Sequence, residues 1–427
     1  MYKKFFRYVL NSVSAMIGIS IYVLADTFFI SVYAGADGLA VLNLILPVYG
    51  LVYGIGAMVG IGYATRFGIK KAMGENTSPY FFQSVSFSVL LSIPFILAGI
   101  LAPDIILKLL GANQTLINLG TSYFRVALIG APFFMTNYSF TGFIRNDNDP
   151  GRAMVGALAG CGFNIVFDYI FMFHTPLGFT GAALATAMSP IVTMSICSIH
   201  FKNKNNKICI QVKALDVSLF KKCCPLGVSA FVGEVTSAVI TIVFNILLLR
   251  MVGNLGVAAY GVVANYSIVV MAILNGIAQG VQPLISEAYG QSNYNDQKIL
   301  LKYAVILTGL IEICLVVIDW LFTSNLVSLF NSEGNIKMAS YAYDGMRLYF
   351  LGFIFAGINI VLIAYYSAIA KKKIAMLGSA LRGAVLIVIF ALIMSFVIGI
   401  NGIWLSFLAS EMVTFFILAF KSPLLVK

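Results

Sequence analysis

The 427-residue chain is 60% hydrophobic and only 10% charged, with a mean hydropathy of +0.96 and a formal net charge of +11. A soluble globular chain carries about a quarter charged residues; here long apolar runs fill the whole length, so the fold class is an all-α polytopic membrane protein set in a lipid bilayer. Basic charge in such a protein collects in loops on one membrane face, so it does not point to nucleic acid, and no nucleic-acid partner is expected.

In chain order, the apolar runs predict twelve transmembrane helices. The first six lie at 8–33, 39–63, 80–103, 119–144, 153–173 and 179–200. After a polar, lysine-rich connector come 223–251, 257–286, 299–323, 339–368, 375–398 and 402–420. Several windows exceed the roughly 20 residues needed to cross, which calls for tilt or kinks. Pro47, Pro132, Pro190 and Pro283 fall inside them, as kinks that helix bundles tolerate. The first run follows Lys3, Lys4 and Arg7 and is too long for the apolar core of a cleaved signal peptide. With the N-terminus in the cytoplasm, only Lys108, Arg125, Arg250, Lys337 and Arg347 fall on the other face. The remaining 22 of the 27 basic residues, Arg382 and Lys427 among them, are then cytoplasmic. This bias places both termini and the connector on the cytoplasmic side of a cell membrane.

The chain repeats itself. Gly35-Ala36-Asp37-Gly38-Leu39-Ala40 recurs as Gly253-Asn254-Leu255-Gly256-Val257-Ala258, and Gly178-Phe179-Thr180-Gly181 as Gly399-Ile400-Asn401-Gly402. Arg125, Gly130 and Asn137 return as Arg347, Gly352 and Asn359, while Ser14, Ala15 and Gly18 return as Ser229, Ala230 and Gly233. The offsets run from 215 to 222 residues, so each half holds six spans, and an even number keeps the halves parallel. The expected domains are an N-terminal lobe, 1–212, and a C-terminal lobe, 213–427. Parallel six-span repeats are a transporter architecture with the pathway between the halves.

Polar residues inside these spans are the candidate site. Asn164 and Asp168 share a helix face, and Thr186 lies about as far beyond the 173–178 turn as Asp168 lies before it. At about 1.5 Å per residue both sit on the order of 10 Å below one membrane face. Asp26 reaches a similar depth, on the order of 12 Å, from the first span. A carboxylate, an amide oxygen and a hydroxyl at one depth suit a cation or proton site; plain helix cross-linking is the lesser reading of Asn164 and Thr186. Glu234 lies about a third of the way through the seventh span, facing a central cavity. Gln279 and Gln282, with Asn275, either line that cavity or hydrogen bond between helices. Glu312, Asp319 and Glu411 also lie in apolar spans: Asp319 near the outer end, Glu312 and Glu411 mid-span, with either a functional role or a packing role beside an unidentified donor.

Several stretches resemble the MATE family, the multidrug and toxic compound extrusion transporters. Ala25-Asp26-Thr27-Phe28-Phe29-Ile30-Ser31 with Gly35 and Leu39-Ala40 is similar to that family's first span and outer loop. The 56–74 run with Arg66, the loop Arg145-Asn146-Asp147-Asn148-Asp149-Pro150, the 178–186 run, and Ala278-Gln279-Gly280-Val281-Gln282-Pro283-Leu284-Ile285 with Gly290 continue the likeness in register. The resemblance implies two V-shaped six-helix lobes and antiport, in which inward Na+ or H+ drives export of bulky, often cationic and aromatic drugs. It places the coupling residues at Asp26, Asn164, Asp168 and Thr186, with Asp26 and Asp168 as carboxylates for Na+. A family asparagine on the fourth span falls on Thr141, with Asn137 one turn outward at a better depth. The family's seventh-span acid falls on Glu234. A tenth-span acid of one branch falls on Asn359, a departure that weakens the case for a carboxylate pair in the second lobe; Asn359 is grouped with the cavity.

The chain is not expected to be an enzyme and needs no cofactor beyond the coupling ion. His174 and His200 are isolated in sequence, and the six cysteines show no metal spacing and suit reduced packing roles. No GxxxxGK[ST] run occurs, so ATP is not the direct power source. A lipid or lipid-linked oligosaccharide flippase of related plan is the alternative. Its pyrophosphate cargo asks for embedded Arg or Lys, whereas the deep charges here are acidic. A monomer is expected.

The basic bias carries a direct test. In a cysteine-free background, single cysteines at Asn113 and Asn205 should differ: an impermeant thiol reagent added to sealed cells labels position 113 only. Labelling at 205 would reverse the orientation.

Overall fold

In hydrocarbon every backbone N–H and C=O must find its partner within the protein, and a chain this apolar meets that demand as helix. The computed structural model of the protein describes residues 1–330 and 335–421; Lys427, counted above with the basic residues, lies outside the described residues. Helix α1 (Tyr2–Ala72) is followed by α2 (Tyr80–Leu101), the short α3 (Pro103–Leu109), α4 (Gln114–Ile129), α5 (Ala131–Asn146), α6 (Pro150–Phe173) and α7 (Phe179–Ser198). An irregular connector, 203–216, leads to α8 (Val217–Val252), α9 (Asn254–Gly290) and α10 (Tyr294–Phe330). The chain closes with α11 (Ile336–Phe350), α12 (Phe353–Ala368), α13 (Lys372–Ala380), α14 (Leu386–Ile398) and α15 (Ile400–Ala419).

Among the described residues nine helices are long and apolar enough to cross a membrane, ten with the bent pair α11–α12 taken as one. Helix α1 holds two such lengths on either side of Gly35, and α4–α5 form another broken unit, an arrangement consistent with twelve crossings. Three windows expected to be continuous are not. The fourth breaks at Gly130, the tenth bends by 46° between α11 and α12, and the eleventh contains a π-helical turn at Leu381–Val385. Pro47, Pro190 and Pro283 do lie inside helices, as do Pro94 and Pro225. Pro132 instead sits in the first turn of α5, where its missing N–H leaves no bond unmade.

The internal repeat has a backbone cause. Gly35, Gly253, Gly178 and Gly399 all adopt φ between 51° and 73° with ψ near −140°, a conformation closed to side chains with a Cβ. Each stands immediately before the helix that follows it or, for Gly35, at the kink inside α1, and they are among the glycines matched between the halves. The first span therefore joins the second through one residue rather than through a loop.

The lobes exchange their leading turns. Phe5, Tyr8 and Val9 of α1 belong to the apolar cluster of the second lobe, while Cys223 and Cys224 of α8 belong to a cluster of the first. Residues 8–9 and 223–224 are repeat equivalents, so the exchange is reciprocal. Glycines permit both crossings. A Cβ on Gly280 of α9 would lie 2.7 Å from Val9 Cα, and its counterpart Gly62 on α1 would place one 2.6 Å from the Cys223 carbonyl. Gly276 and Gly290 meet Val13 and Ile69 as closely. In lipid no hydrophobic force drives helices together, so backbone-to-backbone approach of this kind supplies the association.

Gly280→Val should force α1 and α9 apart and destabilise this crossing by about 1–3 kcal/mol, read as a lowered thermal midpoint of the purified protein. Gly261→Ala on the same helix, where a Cβ meets nothing within 4 Å, should leave it unchanged. Equal midpoints for the two variants would show that the crossing is not tight.

Candidate ion-coupling site

Small residues bring three helices together around Asp168. Gly156 and Gly160 of α6 face Thr193 and Ser189 of α7, Gly181 faces Phe171, and Gly18 of α1 faces Leu158 and Cys161. On this frame Asn164 and Asp168 are fully buried and Thr186 nearly so. With the Asn164 amide turned so that both ends are satisfied, Nδ2 donates to Asp168 Oδ2 at 3.1 Å. Its oxygen accepts the Thr186 hydroxyl at 3.1 Å and the Thr186 N–H at 3.3 Å. Asp26, two turns beyond Gly18, brings its carboxyl group against that of Asp168, and its Oδ1 is buried without a hydrogen-bond partner. Two carboxylates in such a place cannot both stay charged at close range without a proton or a cation between them. The Asp26 and Asp168 carboxylates are hard oxygen donors of the kind Na+ takes, and the opposite orientation of the Asn164 amide would add its oxygen to them. Among the described residues no group of three or more His, Cys, Asp or Glu able to hold a metal ion occurs.

The other sequence candidates divide. The Thr141 hydroxyl is used within its own helix, donating to the Asn137 carbonyl at 2.9 Å, and Asn137 Oδ1 is buried and unpartnered. Glu234, Gln279 and Gln282 lie on the seam between the lobes. Tyr138 donates to Glu234 Oε1 at 3.3 Å, Arg145 to Gln279 Oε1 at 2.6 Å and Gln282 to Thr65 Oγ1 at 3.1 Å. With the Lys4–Glu287 ion pair at 2.6 Å, these rungs close the seam toward the face that carries the N-terminus. Asn359 is not on the cavity. It is fully buried within the second lobe, where its Nδ2 donates to the Glu411 carbonyl and to Glu411 Oε2, both at 2.8 Å. Arg382 completes that cluster, its Nη2 reaching Glu411 Oε1 at 2.8 Å. Arg382 is thus the donor missing from the sequence reading, and not a free loop charge.

His200 is also not isolated. Its ring lies between Asp147 and Asp149, each nitrogen 2.9 Å from one carboxylate. Burial pulls the Asp147 carboxyl up, but hydrogen bonds from His200, the Lys207 N–H and Lys71 outweigh it and hold the group below the ordinary carboxylate range. Burial acts on Asp149 in the same direction and is outweighed by His200 and Arg152. This cluster ties the α5–α6 turn, the end of α7 and the connector into one block. Its sequence signal was the acidic turn 147–149, whose partner lay some fifty residues away.

The sequence profile of the MatE family matches residues 12–170 and 230–393. Among characterised proteins the chain is similar to multidrug export protein MepA of Staphylococcus aureus, 25% identical over 400 residues that span 92% of this chain and 86% of the relative. MepA of Staphylococcus saprophyticus is 26% identical over 406 residues with the same coverage. Among solved structures it is similar to a MATE crystal structure in complex with MaL6, with TM-score 0.91, 22% identity, and 98% and 96% of the two chains covered. It is also similar to the outward-facing conformation of a multidrug resistance MATE family transporter of the MOP superfamily, with TM-score 0.86, 23% identity, and 96% and 93% covered. At these identities the structural likeness establishes the two-lobed fold.

Proposed function

The chain belongs to the MatE family, and on that premise we propose that it is a secondary active multidrug exporter, not an enzyme, working as a monomer in the cell membrane with both termini cytoplasmic. Na+ or H+ moving inward through the Asp26–Asp168 site drives export of bulky, often cationic and aromatic compounds by alternating access. The description of the relatives as multidrug export proteins supports drug-sized organic cargo.

One observation supports the coupling most strongly. The first arm of α1 carries Asp26 at Asp168 and, about 20–25 Å along the same arm, lays Val13 and Val9 on Gly276 and Gly280 of the other lobe. A proton or cation entering between the carboxylates removes their repulsion and favours one placement of this arm, so the seam feels the occupancy of the site. When the ion leaves toward the cytoplasm, charge returns to the pair and the arm is released. A ligand shifts such an equilibrium only by its differential affinity for the two arrangements. Glu234, at the inner limit of the cleft and held by the neutral Tyr138, supplies negative charge where a cationic drug would sit.

Transport in proteoliposomes under a Na+ gradient alone, or a pH gradient alone, identifies the driving ion. Asp26→Asn and Asp168→Asn should each abolish ion-driven efflux while drug binding stays measurable. Wild-type efflux with unchanged ion dependence in either variant overturns the assignment. Glu234→Gln should weaken transport of cationic drugs about tenfold, ~1.4 kcal/mol, with neutral drugs less affected. An equal loss for both classes would make Glu234 a packing residue.

A further inference from the structure

A second set of buried oxygens lies in the C-terminal lobe, on one face of α10. Thr308, Glu312, Asp319 and Thr323 are spaced by four, seven and four residues, the repeat of a single helical stripe, and all four are at most 1% exposed. Neither acid on this stripe forms an ion pair; the cations that face them are Arg382 toward Glu312 and Arg347 toward Asp319. Both Asp319 carboxylate oxygens, Glu312 Oε2 and the Thr308 hydroxyl make no hydrogen bond, and neither does Asn359 Oδ1 on the adjoining α12. Glu312 Oε1 accepts the Gly357 N–H just inside α12, beyond the 46° break from α11. That position is shaped for the approach: a Cβ on Gly357 would lie 2.6 Å from Glu312 Oε1 and 2.6 Å from Thr308 Cγ2.

The charged and titratable groups near the stripe also make contacts of their own. Arg382 is committed to Glu411, and Glu411 to Arg382 and Asn359. Arg347 of α11 stacks its guanidinium on Trp320 and Tyr343, at 5.1 and 4.6 Å from the ring centroids; it is the cation that faces Asp319 but forms no ion pair with it, and its Nε is buried without a hydrogen-bond partner. The remaining titratable neighbour of Asp319 is Tyr266 of α9. An unpaired carboxylate in a membrane interior is costly, and polar atoms left open at a broken helix are how transporters bind ions.

We propose that Glu312, with the Thr308 hydroxyl and the Asn359 carbonyl oxygen, forms a second site for a small monovalent cation, a proton or Na+, in the C-terminal lobe, and that Asp319 relays the ion to it along α10. About 10 Å separates the two acids along the helix axis, and Thr323 continues the stripe beyond Asp319. The site shares no residue with the Asp26–Asp168 pair and does not depend on that pair being the coupling site. Occupancy would act on the α11–α12 bend, because Glu312 holds α12 directly through the Gly357 N–H.

The chain contains its own probe. Its two tryptophans, Trp320 on α10 and Trp404 on α15, both belong to this lobe, so intrinsic fluorescence reports there. The full chain in lipid nanodiscs is titrated with NaCl at constant pH, choline chloride holding ionic strength, and separately with pH in the absence of Na+. A saturable fluorescence change is expected in the wild type and in Asp168→Asn, and its loss in Glu312→Gln. A response to Na+ at constant pH assigns sodium, and a response to pH alone assigns the proton. Thr308→Val guards against a folding defect, because that hydroxyl makes no hydrogen bond to lose; it should keep the wild-type thermal midpoint and shift the titration to higher ion concentration. A wild-type response in Glu312→Gln and Thr308→Val, or its loss in Asp168→Asn, overturns the proposal.

Discussion

The structure depends on one close helix crossing, made twice. The first arm of α1 crosses α9, and the start of α8 crosses the second arm of α1, at positions that the internal repeat relates. In each crossing a glycine lets main chain touch main chain, Gly280 on Val9 and Gly62 on Cys223. Water gains nothing from helix association inside a bilayer, so such contacts and the few polar rungs beside them are the attraction available. Contacts this short have no soft intermediate separation: the seam is either seated or open. A seam of this kind suits the two discrete arrangements that the proposed alternating access requires.

Buried charge is treated in two ways. Glu411 is paired with Arg382 and hydrogen bonded by Asn359, and Asp147 and Asp149 share His200, so these acids have their oxygens engaged and fix structure. Asp26, Glu312 and Asp319 keep oxygens without partners. The cost of a charge at such depth, at least ~2.5 kcal/mol on insertion scales, sets a continuous demand for a proton or cation. The paired acids sit where the protein must hold its shape. The unpaired ones sit on α1 and α10, helices that contact either the seam or a bend.

Much of this was legible from residue order. The helical class follows from hydropathy alone, and the halves follow from glycines whose shared backbone conformation explains why they recur. The grouping of Asn164, Asp168 and Thr186 followed from one helical turn and one symmetric hairpin, because helix geometry converts sequence distance into depth. Asp26 joined them by the same conversion of distance from a helix end.

Residue order determined composition class, depth and helix face, because each depends on a fixed rise and a fixed period along one helix. Tertiary structure alone decided which faces meet. Arg382 finding Glu411, Asn359 turning into the second lobe and His200 standing between two aspartates all depend on how separate helices rotate and cross. The break of the tenth span was hidden for the same reason: the residues from Phe350 to Phe353 are as apolar as their surroundings, and the contact of Glu312 with the Gly357 N–H of α12 comes from another helix. Rotation about a helix axis costs almost nothing until side chains from another helix meet it, so no pattern along a single segment encodes the outcome.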